Sequence, residues 1–131
     1  MPRFPEELVS QTSEILAELK GYAATLVLAV VLSDDGFEVA RTVGADGTEE
    51  PDDGRFASMA SSVQALSEAV SDNRELGKND AVVIQAAKGK MVQLRISATY
   101  VLSAQFTNEE LLGRNLIDLR KAAAKLRKVF A

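Results

Sequence analysis

The groups in this 131-residue chain whose type and spacing could do chemistry are two sets of carboxylates and one set of cations. Asp34, Asp35 and Gly36 begin like a calcium loop. The pattern stops there, because Phe37 to Val39 runs into strand-like sequence where further oxygen ligands are needed. Asp46, Glu49, Glu50, Asp52 and Asp53 could attract cations weakly. They sit in GADGTEEPDDG (44–54), which reads as a solvated surface loop with Asp53 as the cap of the next helix. Paired carboxylates for glycoside chemistry need a rigid cleft, and a turn and a loop supply none. Arg120, Lys121, Lys125, Arg127 and Lys128 could meet phosphates, but a pI near 4.9 and only two Tyr oppose a nucleic-acid partner.

The missing residues exclude more. There is no His, no Cys and no Trp. That removes imidazole bases and ligands, thiolate nucleophiles, zinc thiolates and disulfides. Neither GxxxxGK[ST] nor GxGxxG occurs, so no phosphate-cradling loop is present. The reading predicts no catalytic residue, no metal and no cofactor.

Net charge is -4, unevenly spread. Residues 1–80 hold 16 Asp/Glu against 6 Lys/Arg, and residues 81–131 hold 3 against 9. The charges either mix in space on folding or leave a polarised surface that steers a partner. MPRFPEELVSQ has no apolar stretch of the kind a signal peptide carries. Ala23 to Leu32 is apolar but only ten residues long, against the roughly 20 a spanning helix needs. The expectation is one domain over residues 1–131, cytoplasmic, without membrane insertion.

The elements that position these residues follow from periodicity. Pro5, Glu6 and Glu7 start a first helix, with Leu8, Ile15, Leu16 and Leu19 on one face and Gly21 as its stop. Ala24 to Ser33 reads as a strand buried on both faces, and Asp34-Asp35-Gly36 turns it into a second strand, Phe37 to Val43. A second helix is expected from about Arg55 to Leu76, with Phe56, Met59, Val63, Leu66 and Val70 spaced 3, 4, 3, 4 among small residues such as Ala60. It either lies on its own sheet or also meets a second helix across a dimer axis. Three strands follow: Ala81 to Ala87, Met91 to Ser97 after a turn at Lys88–Lys90, and Tyr100 to Phe106. A last helix is expected from near Asn108, with Glu109 and Glu110 in its first turn and cations in its last. The fold class is α+β, ordered α-β-β-α-β-β-β-α, with a five-stranded, mainly antiparallel sheet and helices packed on it.

Four segments resemble the Roadblock (dynein light chain) family, including its bacterial MglB-like branch. They are VVLSDDGFEVAR (30–41), FASMASSVQALSEAV (56–70), AVVIQAAKGKMVQLRI (81–96) and YVLSAQFTNEELLGRNLIDLRKAAAKL (100–126). The resemblance implies a Roadblock-like, profilin-like layering and a non-enzymatic binding module. It implies a homodimer, with the second helix packed on its counterpart and the third strand paired with its counterpart. Carried onto this chain, that surface is Phe56, Met59, Ala60, Val63, Leu66, Val70, Val82 and Ile84. It further implies a Ras-like small GTPase as partner, regulated or scaffolded by reshaping rather than by a donated arginine. A structural adaptor without effect on GTP turnover, and a sensor that holds a small ligand inside, remain alternatives.

Overall fold

A Val- and Leu-rich run bordered by turns has to be covered on both faces. The computed structural model, which describes residues 4–45, 47, 48 and 54–131, covers this one that way. Strand β1 (Leu26–Ser33) lies inside a sheet of order β2-β1-β5-β4-β3, in which every neighbouring pair is antiparallel. The others are β2 (Glu38–Val43), β3 (Val82–Ala86), β4 (Gly89–Arg95) and β5 (Tyr100–Phe106). Helices α1 (Glu6–Tyr22) and α3 (Leu112–Val129) cover one face, and α2 (Arg55–Asn73) lies on the other. The architecture is the α+β order read from the sequence.

Alternation sorts the strand residues between two cores. Ala29, Val31, Val92, Leu94, Leu102, Ala104 and Phe106 join Leu16 and Leu19 of α1 and Leu119, Ala123 and Leu126 of α3 in the larger one. Val30, Leu32 and Val101 meet only Ala57 and Ala60 of α2, with Leu28 and Phe56 beside them. Helix α1 packs on β2, and α3 packs on β4. No helix packs extensively on β3, which is an edge strand.

Element ends differ from the expectations for local reasons. Pro5 stands at the N-cap of α1 rather than inside its first turn. Helix α2 stops at Asn73, short of Leu76, where Glu75 and Gly77 take positive φ. Asp53 lies outside the described residues, and Gly54 (φ 75°) stands at the N-cap of α2. The turn between β3 and β4 is Ala87–Lys88, so Gly89 and Lys90 already belong to β4, which ends at Arg95. Lys90 is buried, and its Nζ donates to the Glu110 carbonyl at 2.5 Å. That contact holds 107–111 as a non-helical connection, so α3 begins at Leu112 and Glu109 and Glu110 precede its first turn.

Gly44 closes the end of β2 against β1. A Cβ there would lie 1.8 Å from the Leu26 carbonyl oxygen, which is backbone and cannot swing away. Gly44→Ala is expected to lower stability by about 1–3 kcal/mol, as overpacking does. Gly21→Ala, in the last turn of α1 with open space around it, is expected to raise stability by ~0.5–1 kcal/mol. Urea unfolding of the two variants checks both signs.

Candidate functional site: the outer flank of helix α2 and the bare strand β3

Helix α2 buries Ala57, Ala60, Gln64 and Ser71, all of them small or polar. Its large apolar side chains point elsewhere. Met59 is 53% exposed, Leu66 68% and Val70 50%, with Val63 half-buried between them. At 3.6 residues per turn these four share one flank, about a third of a turn from the inward direction. The opposite flank lies on the Asp34–Gly36 turn, where Gly36 (φ 84°) would bring a Cβ to 3.1 Å from Ser58 Cα.

What holds α2 to the sheet is a line of hydrogen bonds. Ser103 Oγ donates to Gln93 Oε1 (2.9 Å), and Gln93 Nε2 donates to the Ala60 carbonyl (3.2 Å) and to Gln64 Oε1 (3.3 Å). Gln64 Nε2 donates to Glu68 Oε2 (3.2 Å). Arg95 then grips Glu68 through Nε and Nη2 (2.5 and 2.9 Å) and Asp34 through Nη2 (3.0 Å). Its Nη1 also donates to the Ser97 and Ala98 carbonyls. The Arg95 hydrogen bonds hold the Glu68 carboxyl below the usual carboxylate range, and Glu68 in turn raises the Arg95 guanidinium. Polar groups left unpaired under a helix are costly, whereas this line is paired along its length.

Beside the apolar flank of α2 lies β3. Cross-strand partners share a face, so Val82 and Ile84, opposite Gln93 and Met91, point to the α2 side. Ile84 is 46% exposed. Phe56, Ile84, Ala86, Met91 and Gln105 line one concavity of about 370 Å³, which places the α2 flank and β3 around a common notch. The strand VVIQA carries no charge and no Pro, the devices that ordinarily protect a free edge.

Of the eight residues read as a partner surface, Met59, Leu66, Val70 and Ile84 are exposed, and Val63 and Val82 are half-buried beside them. Phe56 is half-buried against the smaller core, and Ala60 is turned inward under α2. The structure adds Met91, whose place opposite Ile84 became visible only with the strand register. The polar line was also missed. Its signal was Gln93 in the middle of an otherwise alternating apolar strand.

Among the described residues there is no group of three or more His, Cys, Asp or Glu able to hold a metal ion. No described helix is long and apolar enough to cross a membrane. A concavity of about 680 Å³ is bordered by Lys78, Asp80, Arg95 and Arg127 at the surface, not enclosed by the core.

By sequence, no protein-family model matches the chain, and no curated protein does either. By structure, the fold is Roadblock/MglB-like. MglB of Myxococcus xanthus superposes with a TM-score of 0.85 at 18% identity, covering 99% of this chain and 94% of that one. The gliding protein MglB of Thermus thermophilus gives 0.82 at 16%, covering 96% and 93%. A Roadblock/LC7 domain of Streptomyces avermitilis gives 0.79 at 16%, covering 90% and 96%.

Glu68 generates a pH prediction. A carboxyl held below its unfolded value stabilises the fold above that unfolded value and loses the contribution as pH falls through the folded one. Glu68→Gln is therefore expected to lose about 1 kcal/mol at neutral pH, a modest value suited to a partly exposed pair. The gap to the natural chain should shrink below the ordinary carboxylate range and vanish in acid. Unfolding midpoints at pH 7 and pH 3 measure it, and a gap equal at both refutes the grip.

Proposed function

We propose that the chain is a non-enzymatic homodimeric binding module that regulates or scaffolds a Ras-like small GTPase. The observation that carries the reading is the apolar flank of α2 standing beside an uncovered, uncharged edge strand. A second copy related by a two-fold axis perpendicular to the sheet fills both needs. Its β3 pairs antiparallel with β3, and its α2 lays Met59, Val63, Leu66 and Val70 against the same residues here. Such an interface is isologous, one patch meeting itself. Phe56 and Ala60 support that patch from behind, and Val82, Ile84 and Met91 form its floor.

The Roadblock/MglB-like fold supports the same reading, and one solved MglB, 17% identical with a TM-score of 0.83, is described as having a tetrameric arrangement. Action by a surface fits the side chains available. Arg95, the most firmly positioned arginine, is already engaged by two carboxylates and two carbonyls and has no hand free for a nucleotide.

Leu66 and Ile84 are exposed in one protomer, so a charge there leaves the monomer fold intact. Sedimentation velocity at micromolar concentration should show a dimer for the natural chain and monomers for Leu66→Glu and Ile84→Glu, each with unchanged far-ultraviolet dichroism. Unchanged dimers in both variants would refute the interface. A Ras-like small GTPase from the same organism should hydrolyse GTP at a different rate when the natural chain is added and at its own rate with Leu66→Glu. Binding without a change in turnover makes the module an adaptor, and no binding removes the GTPase from the proposal.

A further inference from the structure

The cations of α3 separate by what each one touches. Arg114 meets Asp118, Lys125 meets Glu18, and Lys121 lies over the Tyr22 ring. Arg120 reaches Asp80, in the connection before β3, with Nη2 at 2.7 Å. Arg127 follows two turns later on the same flank. Its Nη2 donates to the Arg95 backbone carbonyl at 3.1 Å, which holds the guanidinium in place. That bond uses one N–H of a five-donor fork, and no described carboxylate pairs with Arg127.

Arg127 and Lys78 line one concavity of about 680 Å³, between this flank of α3, the 77–80 connection and the turn after β4. The course of the connection is fixed by Asn79, whose Nδ2 donates to Ser67 Oγ (3.1 Å) and Ser71 Oγ (3.3 Å) on α2. The other charges that line the space are already engaged. Arg95 is held by Glu68 and Asp34, and Asp80 by Arg120. Among the described residues, two cations are therefore left uncompensated in one concavity, and no carboxylate there is left without a cation.

Two uncompensated positive charges match a dianion, and a phosphate monoester carries about -1.5 to -2 at neutral pH. Arg offers a planar fork and Lys a point charge, both suited to phosphoryl oxygens. The volume falls within the roughly 300–1,000 Å³ of small-molecule sites, so it has room for the group that carries the phosphoryl. Ile96 and Ala98 give that group an apolar wall. The geometry points to a site for a small organic phosphate, with its phosphoryl oxygens on Arg127 and Lys78 and its organic part on Ile96 and Ala98. All of these residues come from one protomer, so the site depends neither on the dimer nor on a GTPase.

The test is titration calorimetry of the natural chain with phenyl phosphate, with phenyl sulfate as a monoanion of similar shape. Phenyl phosphate should bind saturably at one per chain and phenyl sulfate at least about tenfold more weakly. Lys78→Gln and Arg127→Gln, both at exposed positions, should each weaken phenyl phosphate at least about tenfold with unchanged far-ultraviolet dichroism. Lys128→Gln removes the same charge one residue away, outside the concavity, and should leave the affinity unchanged. Asp80→Asn frees Arg120 and should tighten binding. An octapeptide with a central phosphoserine should bind no more tightly than phenyl phosphate. No saturable binding overturns the site, as does equal binding of phenyl sulfate. An affinity that falls as much in Lys128→Gln as in Lys78→Gln and Arg127→Gln overturns it too, since general charge would then explain the binding. A phosphoserine peptide that binds tenfold more tightly overturns the free ligand in favour of a phosphorylated protein segment.

Discussion

The hydrogen-bonded line from Ser103 through Gln93, Gln64 and Glu68 to Arg95 and Asp34 lies where a helix on a sheet ordinarily places Leu and Val. Because Ala57 and Ala60 are the apolar residues α2 buries beneath itself, the helix gains little from burial on its own sheet. The polar line fixes its position instead, and the same line reaches across to the β1–β2 turn through Asp34. The larger apolar side chains of α2 are thereby left on a flank with nothing of this chain over it. Burying a Val, Leu or Met side chain is worth about 1.5–3 kcal/mol, so four of them on one flank represent a large unrealised gain. In the proposed dimer, a second copy realises it.

The other side of the sheet obeys ordinary rules. Helices α1 and α3 set Leu16, Leu19, Leu119 and Leu126 on a face of Val, Leu and Phe residues that are fully buried. The asymmetry divides the labour. One layer supplies the stability of the protomer, and the other presents a surface. Strand β3 belongs to neither layer and completes the sheet only when something pairs with its free edge.

Much of this was legible in the residues. Alternation in Met91 to Ser97 and the apolar run before Ser33 named the strands, and the 3–4 spacing from Phe56 to Val70 named the helix and its stripe. Which way that stripe faced was not legible, since a narrow apolar stripe reads the same whether it meets a sheet or another helix. The answer lay in Gln64 and Gln93, 29 positions apart, which meet only once the sheet has formed. Helix ends were misjudged where a distant contact decides them. Glu109 and Glu110 look like a helix start, but buried Lys90 holds the Glu110 carbonyl and delays the helix to Leu112.

The role of the α2 flank depends on whether β3 has a partner along its outer edge. Hydrogen exchange of the β3 amides that do not bond to β4 reads this directly, followed over a dilution series. Pairing with a second copy predicts strong protection at high concentration that falls as the chain is diluted, while the amides of β1 and β5 stay protected throughout. Outer-edge amides of β3 that exchange at loop rates at every concentration would contradict it.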